Sequence, residues 1–250
     1  MAFLPFGVVQ AWRGFPWSGA LLASSEIGAF DAGAWFYAEL KTVIDPMAGT
    51  VEVRVNTVPV NTLVAANTQA SGRALSDGIV LGCVLFNDGY TAYAMDDLYV
   101  CDLAGGVNDD FLGNARVQAL LAAGPGSLTD FTPNGALANW QCVLDETLSD
   151  TVYVSDPTVG DGDLYAVAPL VNNPTVFGVQ VKGAYRQTDA TQRFVKNQLK
   201  ASGTLARGAS SATYQTYAFF ADIWELNPGT GLAFTGAQVN AAEVGPYIDA

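Results

Sequence analysis

The 250-residue sequence contains no histidine, only three cysteines, and no apolar run approaching the ~20 residues that a membrane-spanning helix requires. Each absence closes off a class of function. Without histidine there is no Ser-His-Asp or Cys-His catalysis and no histidine-ligated zinc, iron or copper. Basic residues are scarce as well, Lys+Arg 11 against Asp+Glu 24, for a net charge of −13 at pH 7. Phosphate neutralisation needs clustered cations and anionic headgroups repel an acidic chain, so neither nucleic acid nor a membrane surface is an expected partner. Cys83, Cys101 and Cys142 are odd in number and far apart, with no C-x-x-C spacing. They suggest neither a zinc site nor a redox pair and read as buried thiols of a protein made in a reducing cytoplasm. Met1–Gly7 has no basic stretch and carries Pro5, which makes it a poor export signal. The G-x-x-x-x-G-K-[ST], G-x-G-x-x-G and G-x-S-x-G patterns are missing too.

What the chain does have is apolar material, 50% hydrophobic residues against 14% charged, far from the composition of a disordered chain. The recurring period is two. Val51, Val53 and Val55 fall on one face of an extended run and Glu52, Arg54 and Asn56 on the other. Over Trp35–Ile44 the same pattern places Phe36, Ala38, Leu40 and Ile44 inward and Glu39 and Lys41 outward. Asp45-Pro-Met-Ala-Gly-Thr50 between them is a turn signal, so the two runs predict a β-hairpin. Phe177, Val179, Val181 and Tyr185 share a face of a further strand, and Ile79–Phe86 and Thr213–Phe220 read as strands by their β-branched and aromatic content. Turn chemistry recurs at Asn87-Asp-Gly89, Gly105-Gly106, Gly124-Pro-Gly126, Asp161-Gly162 and Asn227-Pro-Gly229. Asp109–Ala123 fits either a helix or a strand. Near the C-terminus Thr235-x-x-Gln238 forms a capping box, Val239 and Ala242 can face a core, and Gly245-Pro246 marks a stop. The expectation is an all-β chain of two β-sandwich, jelly-roll-like domains with one short C-terminal helix, residues 1–104 and 105–250, divided near Ala104-Gly-Gly106.

Trp35-Phe-Tyr-Ala-Glu-Leu-Lys41, Gly49-Thr-Val-Glu-Val-Arg-Val-Asn56 and Met95-Asp-Asp-Leu-Tyr-Val100 together resemble the concanavalin A-like, laminin-G-like jelly roll, whose closing strand reads D-[DE]-[LVI]-x-[VI]. Asp109–Val117, Asp130-Phe-Thr-Pro133, Gly162-Asp-Leu-Tyr165 and Asn227-Pro-Gly-Thr-Gly231 extend the resemblance, over roughly residues 27–245, to tailed-phage and prophage virion proteins that couple this jelly roll to a second β-domain. The resemblance implies a virion location after synthesis in the host cytoplasm. The implied role is a tail, head-spike or fibre-attachment component whose partners are other copies of itself and other virion proteins. Only 34 residues precede Trp35, fewer than such jelly rolls use there, so the first sandwich reads as trimmed, with an edge or face for another subunit to cover.

The carboxylates provide no catalytic dyad. Asp96-Asp97, Asp109-Asp110 and Asp145-Glu146 are adjacent, and neighbours on a strand point to opposite faces. The glucanase string E-x-D-x-x-E of concanavalin A-like enzymes does not occur, and the reading is non-enzymatic with no catalytic residues. No cofactor is expected. Calcium is the one metal considered, with Asp96, Asp97 and Asp102 as candidate ligands and Asp156, Asp161 and Asp163 lining a second acidic loop, though Asx-turns explain these residues more simply. Trp12, Phe15 and Trp17 lie in a segment broken by Gly14 and Pro16 and are candidates for a subunit interface or a glycan platform, whereas Trp35, Trp140 and Trp224 read as core. The alternative function is a carbohydrate-binding module for host-surface glycan.

Overall fold

The computed structural model describes residues 1–16, 18–73, 94–102, 104–135, 138–144 and 147–250. Trp17, Cys83, the Ile79–Phe86 run and the Asn87-Asp-Gly89 turn lie outside them. The chain is all-β and β-sandwich-like, with antiparallel sheets and, among the described residues, one α-helix. Its contacts group into two units, Met1–Val117 and Gln118–Ala250.

In the first unit, β1 (Ala2–Leu4), β2 (Val8–Arg13) and β3 (Ala20–Ser24) form one three-stranded sheet, and β4 (Ala38–Val43), β5 (Gly49–Val55) and β6 (Val58–Ala66) a second. The hairpin read from the sequence is β4–β5, paired from Ala38↔Val55 to Val43↔Thr50. Asp45 organises its loop by accepting from the Met47 and Ala48 amides at 2.7 and 2.6 Å. The β5–β6 turn is Asn56-Thr57, both at positive φ (49° and 71°), as a two-residue type I′ hairpin demands. Val51, Val53 and Val55 face Val9 and Ala11 across the sandwich, all nearly inaccessible. The Asn61 amide bridges the sheets by donating to the Val9 carbonyl at 2.9 Å.

Two expectations for this hairpin are corrected. Leu40 does share the core face of Val53, but β4 is the outermost described strand of its sheet and Leu40 remains 46% exposed. Glu39 is buried at 4% exposure, because the chain around Tyr99 and Phe111–Gly113 covers the opposite face of the sheet. Met95–Asp102 is likewise not a strand; it delivers the Tyr99 hydroxyl to Glu39 instead. The first unit runs past residue 104 because Asp110 pairs with Lys41 at 3.0 Å and the Phe111 ring lies 3.8 Å from the Arg54 guanidinium. Gly105 and Gly106, at φ 89° and 72°, form the turn expected there.

In the second unit, the strands are β7 (Ala122–Thr129), β8 (Thr132–Asn134), β9 (Tyr153–Ser155), β10 (Asp163–Val167), β11 (Val179–Tyr185), β12 (Phe194–Ala201), β13 (Thr204–Arg207), β14 (Ser211–Ala212), β15 (Ala218–Trp224) and, after helix α1 (Gly236–Asn240), β16 (Glu243–Ile248). The main sheet runs β13-β12-β16-β10-β7 with β14 beside β12, and β8 pairs with β9. The β11–β15 ribbon brings Val181 and Trp224 onto Leu199 and Ala201, and α1 adds Val239 to the same core. The capping box is formed: the Gln238 amide donates to Thr235 Oγ1 at 3.2 Å and the Thr235 amide to Gln238 Oε1 at 2.9 Å.

Gly245-Pro246 does not stop the helix, which ends at Asn240; both residues lie inside β16. Gly124-Pro-Gly126 is not a turn but part of β7, at the edge of the sheet among the described strands, where a proline without N–H is tolerated. A side chain on Gly126 would strike the Leu164 carbonyl, so glycine serves the close approach of β10 there. Residues 109–121 are neither helix nor strand, and Thr213–Tyr217 precedes β15 as a loop.

Candidate functional site

The aromatic residues at the N-terminus are built onto the outside of the first unit. Trp12 sits in β2 opposite Leu21, half-buried, with its indole N–H donating to Gln10 Oε1 at 3.1 Å. Phe15 is 71% exposed on a turn whose carbonyl accepts from the Ser18 and Gly19 amides. At the opposite end of β2 the structure shows residues that the sequence pattern did not single out. The Phe3 ring packs edge-on against Phe30 and Phe36 at 5.5 and 5.2 Å between centroids. Phe6 is 81% exposed and held at φ 63°, ψ 20°, a left-handed conformation that costs a bulky side chain roughly 1 kcal/mol or more. Two backbone bonds hold it there, Gly28 N–H to the Phe6 carbonyl at 2.9 Å and Ala29 N–H to the Gly7 carbonyl at 2.8 Å. Ile27 and Trp35, next to these anchors in sequence, are exposed, which corrects the reading of Trp35 as core. Phe3, Phe6, Ile27 and Trp35 are thus exposed apolar side chains on segments that these contacts tie together.

The calcium candidates spend oxygens on the backbone. Asp96 accepts from the Asp97 amide at 2.8 Å, Asp97 from the Val117 amide at 2.8 Å and Asp102 from the Ala104 amide at 2.9 Å. No group of three or more acidic or cysteine side chains placed to hold a metal occurs among the described residues. Cys142 is buried, with its thiol 3.6 Å from the Asn134 carbonyl, but Cys101 is exposed, correcting the reading of all three as buried. No helix among the described residues is long and apolar enough to cross a membrane.

Two buried carboxylates organise the interior. In the first unit, one Glu39 oxygen accepts from the Tyr99 hydroxyl and from the Gly113 amide, the latter at 2.9 Å, while Oε2 and the Tyr37 hydroxyl are buried without a partner. Burial, followed by the bond to Glu39, pushes the Tyr99 phenol far above its ordinary range, so it stays protonated and donates. In the second unit Asp163 is fully inaccessible and completely satisfied. Its Oδ1 accepts from the Asp130 and Phe131 amides at 2.8 and 2.9 Å; its Oδ2 accepts from Asn139 Nδ2 at 2.6 Å and from the Tyr165 hydroxyl at 2.7 Å. Burial and the carboxylate raise the Tyr165 phenol in the same way. Of the second acidic loop, Asp163 is this interior group, while Asp156 caps a turn by accepting from the Thr158 amide at 2.6 Å.

Comparison with protein-family models, with curated proteins and with solved structures finds no match. The functional reading therefore rests on the chain's own geometry and on the motif resemblance of its sequence.

Proposed function

We propose that the chain is a non-enzymatic structural component of a tailed-phage particle, at a tail, head spike or fibre attachment, acting through self-association and contacts with other particle subunits. The observation that carries this reading is the exposure of the apolar side chains Phe3, Phe6, Ile27 and Trp35, with the strained Phe6 held in solvent by backbone hydrogen bonds. Strain held on an exposed aromatic residue has no stabilising role within the fold, and rigid exposed aromatics are the usual anchors of protein interfaces. Leu40 supports the same reading: it lies on the core face of β4, outermost of the described strands of its sheet, and is 46% exposed, as suits a face that a neighbouring subunit covers.

Sizing of the purified chain by mass photometry, with and without calcium, tests the proposal. A discrete multimer that dissociates when Phe6 and Trp35 are changed to serine is the expected result. A monomer that also fails to bind co-expressed particle subunits overturns it.

A further inference from the structure

The Asp163 network has a second consequence, on the solvent side. Beside it opens a pocket of about 250 Å³ lined by Pro125, Thr129, Asn139, Trp140, Leu164 and Tyr165. Its walls are built rather than incidental. Asn139 is 7% exposed, and its amide N–H₂ is fixed between two acceptors, the Phe131 carbonyl and Asp163 Oδ2, both at 2.6 Å. Both neighbours accept, so the amide orientation is dictated, and Asn139 Oδ1 is the end left over. Tyr165 is locked by its bond to the same carboxylate. Trp140 is half-buried on a one-turn 3₁₀ segment, Asn139–Cys142, whose N-cap has no side-chain hydrogen bond.

We infer that this pocket binds one neutral pyranose ring of a glycan, independently of the assembly role proposed above. The chemistry of the lining selects the class. The indole of the half-buried Trp140 and the exposed ring of Pro125 suit the C–H face of a sugar ring, Leu164 and Tyr165 being almost wholly buried. Asn139 Oδ1, Thr129 Oγ1 and the Trp140 indole N–H form no hydrogen bond within the described chain, and they offer an acceptor, a hydroxyl and a donor to ring hydroxyls. No lysine or arginine lines the pocket among the described residues, so none of them supplies a counter-charge to an anionic ligand. The Asp163 carboxylate behind the wall already accepts four hydrogen bonds, which leaves it no free lone pair to ligate a cation. The volume lies just below the ~300–1,000 Å³ of sites for drug-sized ligands, so the pocket takes a single ring.

The test is NMR titration of the full chain with the methyl glycosides of glucose, galactose, mannose and N-acetylglucosamine, and with choline as a cationic probe. The Trp140 indole resonance is identified by its loss in Trp140→Phe. At least one pyranoside is expected to bind in the millimolar range and shift that resonance, with affinity falling about tenfold or more in Trp140→Ala and several-fold in Thr129→Val. Thr129→Val keeps the shape of an exposed edge position and decides the matter if Trp140→Ala does not fold. Absence of a shift with any pyranoside, binding of choline alone, or pyranoside binding that survives both substitutions each overturns the inference.

Discussion

Asp163 Oδ2 lies 2.6 Å from Asn139 Nδ2 and 2.7 Å from the Tyr165 hydroxyl, while its other oxygen holds two consecutive backbone amides. A carboxylate accepts at both oxygens and an amide only at one, so Asp163→Asn sets an N–H₂ against donors whichever way it turns. The expected loss is about 2–3 kcal/mol for Asp163→Asn and more for Asp163→Ala, which leaves all four donors without their acceptor. Chemical denaturation measures both. A variant as stable as the native chain contradicts the network.

Glu39 answers a similar question with a different outcome. Only one of its oxygens is used, by the Tyr99 hydroxyl and the Gly113 amide. Glutamine can present that oxygen to both donors, so Glu39→Gln is expected to change stability by less than about 1 kcal/mol. Glu39→Ala removes the acceptor for both and is expected to cost about 2–3 kcal/mol. Equal losses in the two variants would show that the charge of Glu39, facing Arg54 across the strand pair, matters more than its hydrogen bonds.

These carboxylates also mark how far the sequence was legible. The hairpin, the β11 face pattern, the capping box and the all-β class follow from local periodicity and turn chemistry, which the β4–β5 pairing and the α1 cap display directly. Burial of Glu39 depends on residues sixty and more positions away folding over its sheet, and no period of two reports that. Gly124-Pro-Gly126 and Gly245-Pro246 misled because glycine and proline mark turns by default. Here they serve close strand approach in the second unit, where side chains on Gly126 and Gly245 would meet the Leu164 and Asp163 carbonyls. Phe6 was hidden because a left-handed backbone is not signalled by a phenylalanine. The exposure of Phe15 follows from its place in a segment broken by Gly14 and Pro16; Asn139, Trp140 and Tyr165, gathered from separate segments, were not legible as a pocket.

Phe6→Gly separates folding from assembly. Glycine adopts φ 63° freely, so the substitution relieves strain while removing the exposed ring. Relief of the left-handed penalty and the greater unfolded-state freedom of glycine oppose each other, so thermal stability of the dissociated chain is expected to hold or to rise by up to about 1 kcal/mol. Association is expected to weaken about tenfold, as for loss of an interface aromatic. Parallel thermal melts and dilution series by mass photometry read the two effects. A loss of folding stability with association unchanged would assign Phe6 to the fold and not to the interface.

Asp161 is expected to give the second unit an acid-favoured increment of stability. Its carboxyl is raised above the ordinary aspartate range, first by desolvation and then by the Asp156 and Asp130 carboxylates. A group that binds its proton more tightly in the folded state contributes stability that is complete below the unfolded value and is lost as pH rises through the folded one. At neutral pH that contribution is gone and the charge repulsion remains. Asp161→Asn removes the charge at every pH and is therefore expected to melt higher than the native chain at pH 7. At pH 3, where the native carboxyl is itself neutral, the two melting temperatures should converge. Differential scanning calorimetry at the two pH values checks this, and a variant that melts below the native chain at pH 7 would show that the Asp161 carboxylate is held by partners that outweigh its acidic neighbours.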